Sequence, residues 1–241
     1  MSWLLIIVTG LAAGTLSGII GFGSTTILMP LLVLSFGPKA AVPIMAVAAV
    51  LGNFARLAVW WREIAWRAVG AYSLPAAVTA WLGVHTMLSL NPRVLEAGLG
   101  GFFIVMVPVR HWMATSGLKV SVTGLAVAGA IIGFLTGIVA NTGPINTPFF
   151  LAHGLLKGGF VGTEAAASLA MFTSKSAAFW AFSALPWDIV SKGLVVGSTL
   201  MIGARAAKSL VTNINADTFK WLMDGLLLVA GVAMIVSALL S

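Results

Sequence analysis

The sequence contains no cysteine among its 241 residues. Disulfide bridges and thiol chemistry are therefore excluded, and cysteine usage says nothing about the redox compartment. Charged residues are also scarce, at 8% of the chain, whereas a soluble domain has about 25%. Because 60% of the residues are hydrophobic and the mean hydropathy is +1.08, the composition predicts an all-α polytopic membrane protein.

Acidic residues are few, and all six lie at or near the predicted ends of apolar segments: Glu63, Glu96, Glu164, Asp188, Asp217 and Asp224. A buried carboxylate relay for protons is therefore not predicted. The three histidines also lie near segment ends, without the spacing of metal ligands, so no metal and no cofactor are expected. Neither a phosphate-binding loop nor a nucleophile–base pair is evident, which argues against an enzyme.

The net charge of +7 comes from Lys and Arg in short loops between apolar segments. In a soluble protein such an excess favours nucleic acid, but here it reports membrane topology. The expected partners are therefore the lipid bilayer and a small solute, with no nucleic acid.

The apolar segments divide the chain into two similar halves. The first, residues 1–115, is predicted to contain a broken helical hairpin and three transmembrane helices, at 3–36, 40–61, 68–88 and 94–112. The second, residues 116–241, repeats this order at 121–156, 163–184, 189–206 and 219–240. A span needs about 20 residues, so each hairpin region is too long for one helix and too short for two full spans.

The two hairpin regions share a motif. Gly14-x-x-x-Gly18 is followed by a Gly/Ser/Thr cluster and Pro30, and Gly133-x-x-x-Gly137 is followed by a Thr/Asn/Gly cluster and Pro148. The second pair of glycines follows the first at an interval of 119 residues, close to half the chain length. This repetition predicts an internal duplication, and the Gly-x-x-x-Gly pairs themselves are expected to serve helix packing.

The distribution of basic residues predicts that the repeats are inverted. If each hairpin returns to the side where it began, nine of the twelve loop Lys and Arg residues lie on one side, whereas a single crossing gives six and six. An excess of basic residues marks the cytoplasmic side, which favours the returning hairpin. Each half then contributes an odd number of spans, the halves are inverted, and both termini are expected outside.

The breaks in the hairpins are the predicted binding site. A broken helix exposes backbone groups that persist at membrane depth only around a polar cavity, and paired breaks point to the site of a transporter. Helix N-termini there would bind an anion through free N–H groups and the helix dipole. The candidate substrate-binding residues at the breaks are Gly21, Gly23, Ser24, Thr25, Thr26, Asn141, Thr142, Gly143, Asn146 and Thr147.

Lys175 lies near the middle of the predicted helix 163–184. A charge at the membrane centre costs at least about 2.5 kcal/mol and usually faces a cavity or a partner. The repeat offset places Asn53 opposite Ser174, so Asn53, Ser174 and Lys175 complete the predicted site, with a purely structural Lys175 as the alternative. Arg56, one turn beyond Asn53, is interpreted as an interfacial anchor.

With these motifs, the sequence resembles the sulfite exporter TauE/SafE family, also called the toluene-sulfonate uptake permease family. The resemblance rests on the two glycine motifs, which lead to Pro30 and Pro148, and on Thr173-Ser174-Lys175, and it covers essentially the whole chain. It implies a secondary carrier of sulfite, sulfonates or related anions, working in either direction in a bacterial cytoplasmic membrane. Asn141-Thr142-Gly143-Pro144 departs from the glycine-rich run common in the family, which implies a more polar pocket.

The expected function is therefore alternating-access transport of a small sulfur-containing or organic anion. A passive anion channel with the same pocket chemistry and a non-transporting membrane scaffold are the alternatives. A homodimer is compatible with the sequence, and a proton is one candidate for the coupling ion, carried by the substrate or by Lys175.

Overall fold

The structure, a computed structural model, describes residues 3–20, 23–117, 119–139 and 142–210, together with residues 225, 228, 232, 235, 236 and 239. Most of the predicted last helix, 219–240, lies outside the described residues. Within the described ranges all regular secondary structure is helical, which confirms the all-α prediction for that part of the chain.

Nine α-helices follow one another in the described ranges. They are α1 (Trp3–Ile20), α2 (Ser24–Phe36), α3 (Pro38–Trp60), α4 (Trp66–Ser89), α5 (Pro92–Thr115), α6 (Val122–Ile138), α7 (Gly143–Ala152), α8 (Lys157–Ala181) and α9 (Trp187–Leu210), with a 3-10 turn at Trp61–Glu63 after α3. Both predicted hairpins are indeed broken, α1 from α2 and α6 from α7. Most predicted bounds agree within a few residues, but α8 begins six residues before the predicted position 163.

Local sequence explains several of these helix ends. Pro38 and Pro92 occupy first helical positions, where the missing N–H costs nothing. Asn91 caps α5 by accepting the Arg93 N–H at 3.0 Å, and Ser121 caps α6 by accepting the Gly124 N–H at 3.0 Å. Gly37, with φ 78°, ends α2 in a conformation that favours glycine.

The helices pack mainly across the two halves. Helix α1 lies along α9 and α4 lies along α6, while α3 contacts α8 and α9 and α4 contacts α8. The α1–α9 contact and the α4–α6 contact are equivalent in the two halves, because α1 corresponds to α6 and α9 to α4. The inverted arrangement and the repeat boundaries remain predictions.

Glycines allow the closest of these contacts. A Cβ on Gly14 would lie 2.6 Å from the Leu200 carbonyl oxygen of α9. Likewise Gly137 faces the backbone of Gly83 in α4, and Gly133 faces that of Ala76. The packing role predicted for Gly14, Gly133 and Gly137 is therefore confirmed.

The surface is that of a protein embedded in lipid. Trp180 and Leu74 are 74% and 73% exposed, while Lys175 and Thr136 are fully buried. Among the described residues, three helices are long and apolar enough to cross a membrane, Pro38–Glu63, Pro92–Val109 and Trp187–Ala206, and three shorter apolar helices accompany them, Trp3–Gly18, Ile27–Phe36 and Val122–Ile138. Together these features identify a multi-pass membrane protein.

Candidate functional site

A narrow polar cavity lies where α1, α2, α3, α8 and α9 meet. Its free volume is about 20 Å³, enough for about one water molecule. Small and apolar side chains form part of the wall. The polar lining residues are Ser17, Ser24, Thr25, Asn53, Arg56, Glu164 and Ser168.

An ion pair crosses this cavity from α3 to α8. The Arg56 Nη1 and Glu164 Oε2 atoms lie 2.8 Å apart, with side chains only 8% and 4% exposed. The Arg56 Nη2 donates to Asn53 Oδ1, one turn earlier on α3. The Ser168 hydroxyl donates to Glu164 Oε1 at 2.7 Å. Both charges are thus held by hydrogen bonds as well as by each other, as buried charges require.

Two predictions are wrong at this point. Arg56 is not an interfacial anchor, because its guanidinium is buried against α8. Nor does Glu164 lie at a segment end, because α8 begins at Lys157 and carries Glu164 seven residues, about 10 Å, into the helix. The chain therefore does contain a buried carboxylate. The sequence did indicate that Arg56 is buried with a partner. Asn53 and Arg56, at i and i+3, share one helix face, and a charge inside an apolar segment requires a partner.

Asn146 of α7 connects the second hairpin to this ion pair. Its Nδ2 lies at a long hydrogen-bonding distance, 3.5 Å, from Glu164 Oε1. The residue is 1% exposed, and its Oδ1 has no hydrogen-bond partner among the described residues. Asn53 and Asn146, both among the predicted site residues, are linked through Arg56 and Glu164.

Two of the predicted residues of the first hairpin line the cavity. Ser24 and Thr25, at the start of α2, line it directly. Gly23 precedes them with φ 111°, which favours glycine, and α2 has no side-chain cap. Its first intrahelical bond is donated by the Ile27 N–H to the Gly23 oxygen, so the preceding N–H groups have no partner within the helix. Gly21 and the Thr26 side chain lie outside the described residues.

None of the predicted residues of the second hairpin that the structure describes lines the cavity itself, and Asn146 reaches it only through its contact with Glu164. Thr142 shares a hydrogen bond with Thr136 of α6, and the Thr147 hydroxyl donates to the Gly143 oxygen at 3.0 Å. Asn141 lies outside the described residues. The substrate contacts predicted for Thr142, Gly143 and Thr147 stay predictions.

The ammonium group of Lys175 forms hydrogen bonds at the break between α6 and α7. Its ammonium donates to the Thr136 oxygen and, at 2.8 Å, to the Val139 oxygen. It also lies 5.9 Å and 5.8 Å from the ring centroids of Phe172 and Phe179. A cation at the C-terminal carbonyls of α6 satisfies groups that would otherwise be unpaired and complements the helix dipole.

Ser174, next to Lys175, faces a different neighbour. Its hydroxyl donates to the Ala77 oxygen of α4 at 2.8 Å. Neither Ser174 nor Lys175 lines the polar cavity. Their predicted contacts with substrate stay predictions.

Comparison with protein families identifies the chain. Residues 6–234 match the family model of the sulfite exporter TauE/SafE proteins. The protein belongs to the TauE/SafE family. The resemblance seen in the sequence is thereby confirmed, and TauE/SafE proteins are membrane transporters rather than enzymes. Comparisons with curated proteins and with solved structures returned no match.

Proposed function

We propose that this TauE/SafE protein is a secondary transporter of the bacterial cytoplasmic membrane that moves a small sulfur-containing or organic anion, of the sulfite or sulfonate class, by alternating access. The observation that carries the proposal is a buried arginine, Arg56, in a cavity whose other polar groups are hydroxyls, an amide and a carboxylate.

The donors around the cavity suit an oxyanion. A guanidinium presents a rigid fork of N–H donors that matches the geometry of paired oxygens. Ser24, Thr25 and Asn53 add neutral donors, and the uncapped start of α2 adds backbone N–H groups with the positive end of a helix dipole. A sulfite or sulfonate group has three oxygens to satisfy. We therefore assign the role of neutralising the anion to Arg56 rather than to Lys175.

The size of the cavity supports a carrier rather than an open channel. A space for about one water molecule is too small for an oxyanion of several heavy atoms. The ion pair between Arg56 and Glu164 ties α3 to α8 across it. Substrate entry would therefore require α3 and α8 to separate, as alternating access between closed and open states demands.

Anion-dependent thermal stability of the purified protein tests the proposal. The panel comprises sulfite, sulfate, thiosulfate, taurine, sulfoacetate, sulfolactate and simple carboxylates. A bound anion at 100 times its Kd stabilises the folded state by about 2.7 kcal/mol, so a selected sulfur oxyanion should raise Tm. Arg56→Lys keeps the charge but loses the fork, and should weaken affinity about tenfold or more.

The matched control is Arg62→Lys, because Arg62 is exposed in the turn after α3. It should bind like the wild type. Stabilisation by no anion, or equal affinities in the Arg56 and Arg62 variants, would contradict the proposed site. In proteoliposomes, a carrier should show saturable counterflow, whereas unsaturable current would favour the channel.

A further inference from the structure

We infer that Glu164 is the proton-binding site of this transporter, and that proton and substrate bind together because the substrate anion replaces Glu164 as the partner of Arg56. The inference rests on the proposed function and deepens it by naming the coupling ion and the group that carries it. In each binding event Glu164 gains one proton and Arg56 exchanges one anionic partner for another.

The ion pair leaves no room for an additional anion. The Arg56 Nη1 is already 2.8 Å from Glu164 Oε2, and both side chains are almost fully buried. A substrate reaching Arg56 would place two negative charges beside one positive charge in a space of about 20 Å³. A buried charge without a partner is strongly unfavourable. A displaced Glu164 is therefore stable only when it takes up a proton and becomes neutral.

The structure provides an acceptor for that proton. Asn146 Oδ1 is buried without a hydrogen-bond partner among the described residues, on a side chain that already approaches Glu164. A carboxylate can only accept hydrogen bonds, whereas a protonated carboxyl group also donates one. The amide now presents Nδ2 to Glu164 Oε1, the oxygen that also accepts from the Ser168 hydroxyl. On protonation the amide would turn over, so that Asn146 Oδ1 accepts the hydrogen of the Glu164 carboxyl group.

The surroundings of Glu164 contain few other groups that titrate. Helix α3 contributes Arg56, α7 contributes the neutral Asn146, and α8 itself contributes Ser168. Helix α4 contributes Tyr72, whose buried hydroxyl has no partner among the described residues and which interacts electrostatically with Glu164. The polar groups that α1 and α2 bring to the cavity are the uncharged Ser17, Ser24 and Thr25, and α9 brings Leu200 and Ala204.

The charges balance in both states. The empty site holds Arg56 and an ionised Glu164, and the loaded site holds Arg56, a monovalent anion and a neutral Glu164. Transport of a monovalent anion with one proton would therefore be electroneutral. Lys175 is not needed for this step, since it lies eleven residues further along α8 and binds the carbonyls of α6.

Proton uptake on anion binding tests the inference directly. Full-length protein in weakly buffered detergent solution is mixed with sulfite or methanesulfonate, and a pH-sensitive dye counts the protons taken up. Methanesulfonate carries a permanent charge, so any proton bound with it goes to the protein. We expect about one proton per bound anion and, by reciprocal linkage, an affinity that weakens by up to about tenfold per pH unit wherever that proton is taken up.

Glu164→Gln imitates the neutral carboxyl group, and Glu63→Gln, at an exposed position, is the matched control. The Glu164 variant should bind the anion without proton uptake and without the loss of affinity as pH rises, and a proton gradient should no longer drive accumulation in proteoliposomes. The control should keep all three properties. The number of protons taken up per bound anion is measured on the unmodified protein, so it tests the inference even if Glu164→Gln folds poorly.

Two results would overturn the inference. Anion binding by the unmodified protein without proton uptake would remove Glu164 as the coupling site while leaving the anion transporter intact. Binding of neither sulfite, methanesulfonate nor any anion of the stability panel would remove the proposed function and, with it, this inference.

Discussion

Lys175 shows how a buried charge serves structure at the scale of one residue. Its ammonium closes the break after α6 by bonding the carbonyls of Thr136 and Val139. Lys175→Met should leave those carbonyls unsatisfied, at a cost of about 1–3 kcal/mol in the free energy of unfolding. We expect a lower Tm with little change in anion affinity, measured by thermal unfolding with and without the anion selected from the panel.

Lys192→Met is the control for Lys175→Met. Lys192 bonds the exposed Asp188 at 2.6 Å, and such surface pairs are worth about 0–1 kcal/mol. Loss of anion binding by Lys175→Met at unchanged Tm would restore Lys175 to the substrate site.

Single residues differed in how well the sequence predicted their positions. Ser24, Thr25 and Asn53 were placed near a common site by motif and repeat offset, and they do line one cavity. The pairing of Arg56 with Glu164 depends on how α3 and α8 face each other, and no local pattern encodes that contact. Thr142 and Thr147 are of a residue type that often binds ligands. In the structure, however, their hydroxyls form hydrogen bonds with neighbouring groups of the same hairpin.

At the scale of elements, the start of α2 depends on the conformation of one glycine. Gly23 has φ 111° just before the helix whose first residues line the cavity. Gly23→Val should force a strained backbone, costing of order 1–3 kcal/mol. Because the N-terminus of α2 would also shift, we expect both a lower Tm and a weaker anion affinity in the same stability assay.

Gly98→Ala provides the comparison for Gly23→Val. Gly98 lies inside α5 with open space where a Cβ would be, so alanine should be neutral or stabilising by up to about 1 kcal/mol. A Gly23 variant with wild-type stability and affinity would show that α2 does not need this conformation.

Helix ends were predictable where a cap or a proline marks them, as at Asn91 and Pro92. The start of α8 was not, because Lys157-Gly158-Gly159 is typical of a loop. Gly158 and Gly162 let this turn pack against Trp60, so tertiary contact extends the helix. That additional length is what carries Glu164 away from the membrane end and into the cavity.

At the scale of the whole molecule, the inverted arrangement can be tested with the natural absence of cysteine. Single cysteines replace the exposed residues Trp61, Ser89, Leu156 and Pro186. If the repeats are inverted, a membrane-impermeant maleimide should label Ser89→Cys and Pro186→Cys in intact cells, and Trp61→Cys and Leu156→Cys only after permeabilisation.

The parent chain is a control without any reactive thiol, since it contains no cysteine. The decisive comparison is between Trp61, which follows α3, and Leu156, which precedes α8. Labelling of these two positions from opposite sides would mean that the second hairpin crosses the membrane and that the halves run parallel.

The lysine at the second break has no equivalent at the first. The repeat offset places Phe54 opposite Lys175, and Phe54 is 51% exposed, turned away from the core. The carbonyls at the second break are therefore bonded by a lysine of the neighbouring helix α8, while the first break opens onto the cavity of Arg56 and Glu164. If the halves descend from a duplication, as the sequence predicts, the proposed anion site has therefore been kept in one copy per chain rather than two.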